Sequence, residues 1–333
     1  MTRALRIINP GASSTVQDWG RIGQAHLGVP ASGAMDLYAH NVANWLVGNR
    51  AKLATLEMTM LGAEVEVLSE TNIAVTGADM QLTINGKTAR QWMSHRLLPG
   101  DRIKLGFAVN GCRSYLALTG GIDVPLILGS RSTCLGAKFG GYQGRTLQVD
   151  DILASGQANT KGLHGSRMLP WIPRYSNRLV LLALAGPHDD WFSEYGQAFF
   201  STTYTVSSQS NRMGCRLQGE AVKKDNKAPK DMLSVPMAPG NIQIPPSGQP
   251  IVLFREQTSG GYPCIATVLT SELWRLAQLQ PGGTIRFEQA LLDKAHQLHD
   301  DWLKFFREIR TQLSDNKKMQ CELARGVVLQ DLI

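Results

Sequence analysis

No C-x-x-C pair occurs in this chain. Its five cysteines, Cys112, Cys134, Cys215, Cys264 and Cys321, are odd in number, widely spaced and without a histidine at ligand spacing, which argues against a thiolate zinc site or a disulfide framework. They read as buried or free thiols of a reducing compartment. No apolar run approaches the roughly 20 residues that span a bilayer, and no charged-then-apolar leader precedes the strand-like Met1 to Pro10, so a cytoplasmic protein is expected. Also missing are a G-x-S-x-G elbow, a phosphate loop ending in Gly-Lys-Ser, an H-E-x-x-H pair and a G-x-G-x-x-G between strand and helix. A free-standing NTPase, zinc hydrolase or nicotinamide enzyme is thereby disfavoured. Lys and Arg outnumber Asp and Glu by 34 to 27, but the basic residues are scattered except at Lys223-Lys224, Lys227 to Lys230 and Lys317-Lys318. No arginine-aromatic interleaving marks a nucleic-acid surface, and neither a nucleic-acid nor a membrane partner is expected.

What is present is β-rich and two-part. A chain of 333 residues accommodates about two domains. In the first half Leu5 to Ile8, Ala63 to Leu68, Asn72 to Val75, Gln81 to Ile84, Arg102 to Leu105 and Ser114 to Leu118 read as strands, separated by turns such as Asn85-Gly86 and Pro99-Gly100-Asp101. One helix interrupts them, with Met35, Leu37, Tyr38, Val42, Trp45, Leu46 and Val47 at helical spacing before Gly48-Asn49. The second half repeats the strand pattern at Val180 to Leu184, Tyr204 to Val206, Asn241 to Ile244, Ile251 to Phe254 and Thr284 to Phe287, with a short helix over Ser271 to Leu279. This predicts a barrel or sandwich over 1–155, a linker over 156–177, a second β unit over 178–290, and an amphipathic helix and tail over 291–333. On that helix Leu291, Ala295, Leu298, Trp302, Phe305, Ile309 and Leu313 form one apolar stripe, which either docks on its own domain or contributes to a subunit interface. Two fragments recur between the halves: Pro30-Ala31-Ser32-Gly33 with Pro245-Pro246-Ser247-Gly248, and Pro99-Gly100 with Pro281-Gly282.

Four glycine-polar clusters stand out. The first holds Gln17, Asp18, Arg21 and Asp36 among glycines that admit a ligand close to the backbone; its arginine suits a carboxylate, and it equally suits a loop brace in which Asp18 pairs with Arg21. A second runs from Thr119-Gly120-Gly121 to Gly129-Ser130-Arg131-Ser132-Thr133, a mixture fit for an oxyanion or phosphate site or simply for satisfying loop backbone. Ser207 to Gly214, with Asn211 and Arg212, is the third, and Gln257-Thr258-Ser259-Gly260-Gly261-Tyr262-Pro263 the fourth. The histidines form no ligand pair except His296 and His299, which lack a third ligand, so no metal site is expected; His188, between Gly186-Pro187 and Asp189-Asp190, is the one histidine in a plausible site.

Taken in order, T-V-Q-D-W-G-R at 15–21, G-V-P-A-S-G-A-M-D at 28–36, A-N-W-L-V-G-N at 43–49, L-E-M-T at 56–59, T-G-A-D at 76–79, Y-L-A-L-T-G-G-I-D-V-P at 115–125, G-S-R-S-T at 129–133, S-N-R-M-G at 210–214, I-Q-I-P-P-S-G-Q-P-I at 242–251 and Q-T-S-G-G-Y-P at 257–263 resemble the 5-oxoprolinase C-subunit family. That family is also called biotin-dependent carboxyltransferase or allophanate hydrolase subunit 2. The resemblance implies a mainly β fold of two cyclophilin-like β-barrel domains, and it implies a partner. Members act with a B-type subunit of related fold and an A-type subunit to open 5-oxoproline to glutamate with ATP and Mg2+. Related domains in urea carboxylase move a carboxyl group from carboxybiotin to urea, and others resemble a regulatory antagonist of a sporulation-kinase inhibitor. Within that frame Asp18, Arg21, Asp36, Glu57 and Arg131 are the expected catalytic residues, with Asp18, Asp36 or Glu57 positioning a proton or magnesium. Gln17, Gly120, Gly121, Asn211, Arg212, Gln257, Gly260, Gly261 and Tyr262 are expected to bind substrate. The sequence departs from the pattern at Arg255-Glu256, where relatives usually carry an Asp, and in a basic, proline-containing insertion over Val222 to Met237.

Overall fold

A computed structural model describes residues 2–157, 167–169, 172–193, 196–229 and 231–314. Half of the expected linker, His164, Lys230 and the tail with Lys317, Lys318 and Cys321 lie outside the described residues. The fold is mainly β. In the first half a seven-stranded sheet, in the order Ile122–Asp123, Ile152–Ser155, Thr2–Asn9, Glu64–Val67, Arg102–Lys104, Thr83–Ile84 and Lys87–Thr88, faces a five-stranded sheet. The latter runs Ser14–Gln17, Thr55–Thr59, Asn110–Leu118, Thr71–Asp79 and Ser94–Leu97. Apolar side chains from both sheets meet between them: Leu5, Ile7 and Val65 from one, Leu56, Val75 and Leu116 from the other, all but removed from solvent. Alternation does this, since Glu64–Val67 reads half-exposed, buried, half-exposed, buried along its length.

The second half closes on itself. Its barrel runs Arg178–Ala185, Cys264–Val268, Asn241–Gln243, Ile251–Leu253, Gly214–Gln218, Tyr204–Val206 and Thr284–Gln289, and the last strand returns to lie parallel to the first, from Arg178 opposite Thr284 to Ala183 opposite Gln289. Closure leaves no unpaired edge within the ring. Leu179, Leu181 and Ala183 point inward with Tyr204, Leu217, Val252, Ala266, Ile285 and Phe287, and Met35 of the first half packs into the same cluster. The recurrent Pro-Gly turns do the same work in each half: Gly100 and Gly282 both take positive φ, and each donates its N–H at 2.8 Å, to Val67 O and Val206 O respectively.

Helices bind the halves together. Among the described residues α1 (Leu37–Leu46) and the short α2 (Gly196–Ser201) precede α3 (Leu273–Ala277), which continues a 3-10 turn over Thr270–Glu272, and α4 (Leu292–Ser314) ends the described chain. Asp36 caps α1 by accepting from Ala39 N at 2.9 Å. The helix is buried almost all round, including the face that a surface helix would keep in water. The α4 stripe docks on its own chain from Ala295 onward, whereas Leu291 precedes the helix and is 80% exposed. Ala295 and Leu298 pack with Leu269, Leu182 and Leu184 of the second half. Further along the helix Trp302, Phe305, Phe306, Ile309 and Leu313 join Tyr38, Trp45, Trp92 and Trp274. Truncating Ile309, 4% exposed within that shared cluster, leaves a cavity across the seam. Ile309→Ala is expected to cost about 2–4 kcal/mol, read as a fall in the urea denaturation midpoint, whereas Lys304→Ala on the solvent face of α4 should leave the midpoint unchanged.

Candidate functional site

Asp18 follows directly on the strand Ser14–Gln17, and its carboxylate gathers a loop more than a hundred residues away. It accepts from Ser130 Oγ at 2.6 Å, Ser132 Oγ at 2.5 Å, Arg131 N at 2.6 Å and Gly20 N at 2.8 Å. Burial pushes the Asp18 pKa up, but these four donors outweigh it and hold the group below the ordinary carboxylate range. Gln17 completes the brace, accepting from Gly33 N at 3.0 Å and donating to Thr133 O at 3.2 Å and to Thr15 Oγ1 at 3.0 Å.

Arg21 is different. It is 1% exposed, donates through Nη2 to Ser132 O at 2.5 Å, and lies over the Phe139 ring at 4.6 Å. Its Nε and Nη1 are buried without a hydrogen-bond partner. Burial draws the Arg21 pKa below its ordinary value against the opposing pull of Asp18, whose oxygens are taken up by the Ser130 to Ser132 loop and Gly20. A buried guanidinium with two open donors is costly unless something anionic completes it. Gly140 makes room for it: at φ +70° a Cβ there would come within 2.1 Å of Arg21 Nη2. Phe139 and Gly140 also line a cavity of about 440 Å³, together with Asp123, Ile127 and Tyr142. Asp123, which lines that cavity, also holds Arg131, at 2.9 Å from Nη2.

A second group of expected residues lies at the seam between the halves. Glu57 pairs across the sheet with Thr15 on one side and Tyr115 on the other. Its carboxylate accepts from Arg212 Nη1, from Met35 N at 2.9 Å and from Tyr115 Oη at 2.8 Å. Arg212, from the second half, also donates through Nε to Glu256 Oε1 at 2.6 Å and through Nη2 to Gly33 O at 2.6 Å. Burial works against its charge, but Glu57 and Glu256 overcome it and raise the Arg212 pKa. Glu57 is likewise driven up by burial and down further by Arg212 and Arg113, so it stays ionised. Asp36 sits beside this pair. Its amide donates to Tyr115 Oη at 2.8 Å, and its Oδ2 accepts from Gln278 Nε2 at 2.7 Å. Burial, with Glu57 nearby, pushes the Asp36 pKa up to about 6 against its hydrogen bonds. Arg255 adds a third tie, donating to Ser32 O at 2.7 Å and Trp19 O at 2.5 Å.

The remaining expected residues scatter. Gly120 N is spent on Asn49 Oδ1 at 2.9 Å and Gly121 N on Leu118 O at 2.9 Å, so this loop presents no anion nest. Asn211 closes its own turn by accepting from Met213 N at 2.8 Å. Gln257 donates to Ser259 O, and Gly260 pairs in a two-stranded ribbon with Val235. Gly261 and Tyr262 line a cavity of about 740 Å³ with Trp191, Lys223 and the Pro245 to Gly248 turn. His188 lies beside it, accepting from Cys264 N at 3.2 Å and packing on Trp191. The described cysteines are buried and free. Phe139, Gly140 and Glu256 are not marked by the sequence as site residues; the last is visible there only as an acid where relatives carry another.

A family model described as carboxyltransferase domain, subdomain A and B, matches residues 27–289. The chain is similar to the 5-oxoprolinase C-subunit of Escherichia coli (strain K12), 38% identical over 315 residues that cover 93% of this chain and 98% of that protein. It is 36% identical over 319 residues to urea amidolyase of Lachancea kluyveri, of which it spans only 17%. Among solved structures, the Kluyveromyces lactis urea carboxylase superposes with a TM-score of 0.84 at 33% identity, over 92% of this chain and 29% of that one.

Two outcomes test the seam. Arg212→Ala leaves Glu57 and Glu256 buried and unpaired, and is expected to cost about 3–5 kcal/mol in chemical denaturation; adding Glu57→Gln should recover part of it. Asp36 has a folded pKa raised above its unfolded value, so its contribution is present below the ordinary carboxylate pKa and is lost as the pH rises through about 6. Asp36→Asn, which keeps a cap acceptor, should flatten the denaturation midpoint between about pH 4 and about pH 6.

Proposed function

The chain belongs to the carboxyltransferase family of subdomains A and B, and we propose that within it the protein is a subunit of an ATP-dependent 5-oxoprolinase that opens 5-oxoproline to glutamate. What carries this reading is likeness along the whole length: the chain covers 98% of the Escherichia coli 5-oxoprolinase C-subunit, against 17% of a urea amidolyase. The assembly is completed by a B-type subunit of related fold and an A-type subunit.

An unactivated lactam resists hydrolysis. Transfer of the terminal phosphoryl group of ATP to the lactam oxygen activates the ring carbon; a first water adds there, the ring C–N bond breaks to leave an acyl phosphate, the nitrogen takes up a proton, and a second water hydrolyses the acyl phosphate to the new carboxylate. Glutamate, ADP and phosphate result. The substrate's own carboxylate needs fixed, charged donors, and the open Nε and Nη1 of Arg21 are such donors. Arg131, a third exposed and oriented by Asp123, supplies positive charge for an oxyanion. Asp18 positions both by fixing the Ser130 to Ser132 loop. Asp36, Glu57 and Arg212 are assigned to holding the halves in register. Among the described residues no three His, Cys, Asp or Glu groups are placed to hold a metal ion, and no step is assigned to a metal on this chain.

The family description and the urea carboxylase superposition favour a second reading, carboxyl transfer from carboxybiotin to urea or a similar amide. Assembly with candidate partner subunits, followed by incubation with 5-oxoproline and ATP, separates the two. Matched formation of glutamate and ADP supports the first; carboxylated urea without glutamate supports the second; a stable complex with neither product leaves a regulatory binding protein. In the active assembly Arg21→Gln is expected to lower kcat/KM about 100-fold, with folding checked by thermal denaturation. Full turnover in that variant would remove Arg21 from the site.

A further inference from the structure

Away from the Arg21 cluster and the seam, a cavity of about 890 Å³ opens between α1 and α4, within the roughly 300–1,000 Å³ typical of small-molecule sites. Four aromatic side chains line it: Trp19, Trp45, Trp302 and Phe306. They are held rigidly. Trp302 stacks on Trp274 with an interplanar angle of 9° and meets Phe306 edge-on at 4.6 Å. Trp19 remains 41% exposed, yet its indole N–H is fixed on Asn41 Oδ1 at 2.8 Å.

Charge at the mouth is one-sided. Arg50, Lys52, Arg167, Arg307 and Arg310 all line this cavity, and among the described residues no Asp or Glu does. Some exposed arginines elsewhere find carboxylates, as in Arg6 with Glu66, Arg96 with Glu70 and Arg286 with Glu288, while others, such as Arg102 and Arg216, stand singly on the surface. Arg50, Lys52, Arg307 and Arg310 form no salt bridge among the described residues. Converging cations without counter-charge raise the potential of a concave surface and attract an anion. A single carboxylate would leave most of that charge uncompensated, and a wholly polar anion would leave the aromatic wall wet.

We propose that this groove binds a flat, polyanionic organic molecule of the nucleotide class, its ring on the aromatic wall and its phosphates among the arginines of α4 and the residues that follow α1. Both parts of that ligand have recognised partners here: aromatic rings stack on any base regardless of sequence, and guanidinium groups take phosphate oxygens in pairs. The choice of ATP as probe rests on the 5-oxoprolinase reading; binding itself is read on this chain alone, without turnover, so failure of glutamate formation in the assembly leaves the test intact.

Calorimetric titration of the full chain with ATP, adenosine and tripolyphosphate, at low and moderate salt, tests it. ATP should bind, with adenosine and tripolyphosphate each at least tenfold weaker, and added salt should weaken the ATP affinity. The exposed pair Arg307→Ala/Arg310→Ala and, separately, Trp19→Ala should each reduce ATP affinity at least tenfold without shifting the thermal midpoint. No ATP binding, tripolyphosphate binding equal to that of ATP, or unchanged affinity in the variants overturns the proposal. Variants that bind ATP normally but fail to assemble with a partner protein would also overturn it, reassigning the groove to a protein contact.

Discussion

Among the ties between the two β units, which include Arg255, Gln278 and the α4 cluster, the guanidinium of Arg212 is the one that joins buried acids of both halves. It stands between Glu57 of the first half and Glu256 of the second, and its third nitrogen reaches Gly33 O. Burying three charges carries a large desolvation cost, which only close geometry and further hydrogen bonds offset. Those are supplied: Tyr115 and Met35 N occupy Glu57, and the Tyr115 hydroxyl passes the network on to Asp36 N. The entry to α1 is therefore fixed by the same cluster that fixes the halves. Everything α1 carries, including its cap and its face toward α4, inherits that register.

The three arginine environments divide the positive charge of the chain into distinct kinds. At the seam Arg212 is fully compensated and structural. Near Phe139, Arg21 is satisfied at one of its three nitrogens, with one on a carbonyl and two left open. Along the α1–α4 groove the cations face solvent with no acid among the described residues lining it. An overall formal charge of +7 conceals this ordering, because pairing rather than count decides what a cation does.

Local periodicity makes most elements legible. Arg178–Ala185 alternates buried and exposed positions, and the run after Met35 keeps helical spacing, so both announce themselves within a few residues. The apolar stripe of α4 is equally plain, though its target is not, since Tyr38 and Trp274 lie far off in sequence. Site geometry is legible only in part. Asp18 and Arg21 stand out by composition, but the partners Ser130 and Ser132 are separated from Asp18 by 112 and 114 positions, and nothing local encodes that meeting. Phe139 and Gly140 sit in a stretch whose glycines look like ordinary turns. Gly120 and Gly121 show the converse: the right composition for an anion site, with amides already committed to Asn49 and Leu118. Glu256 needs the Arg212–Glu57 geometry before its carboxylate has a purpose.

The parallel pairing of Arg178–Ala185 with Thr284–Gln289 sets an order of events during synthesis. The first and last strands of the barrel are neighbours, so the ring cannot close until residue 289 has left the ribosome, and contacts that span such a separation form slowly. The first half, by contrast, has its strands complete at Ser155 and can mature while the rest is still being made. Only then does α4 emerge, directly behind the closing strand, to settle across α1. The helix is thus a late latch, and until it arrives the aromatic surface of Tyr38, Trp45 and Trp274 stands open.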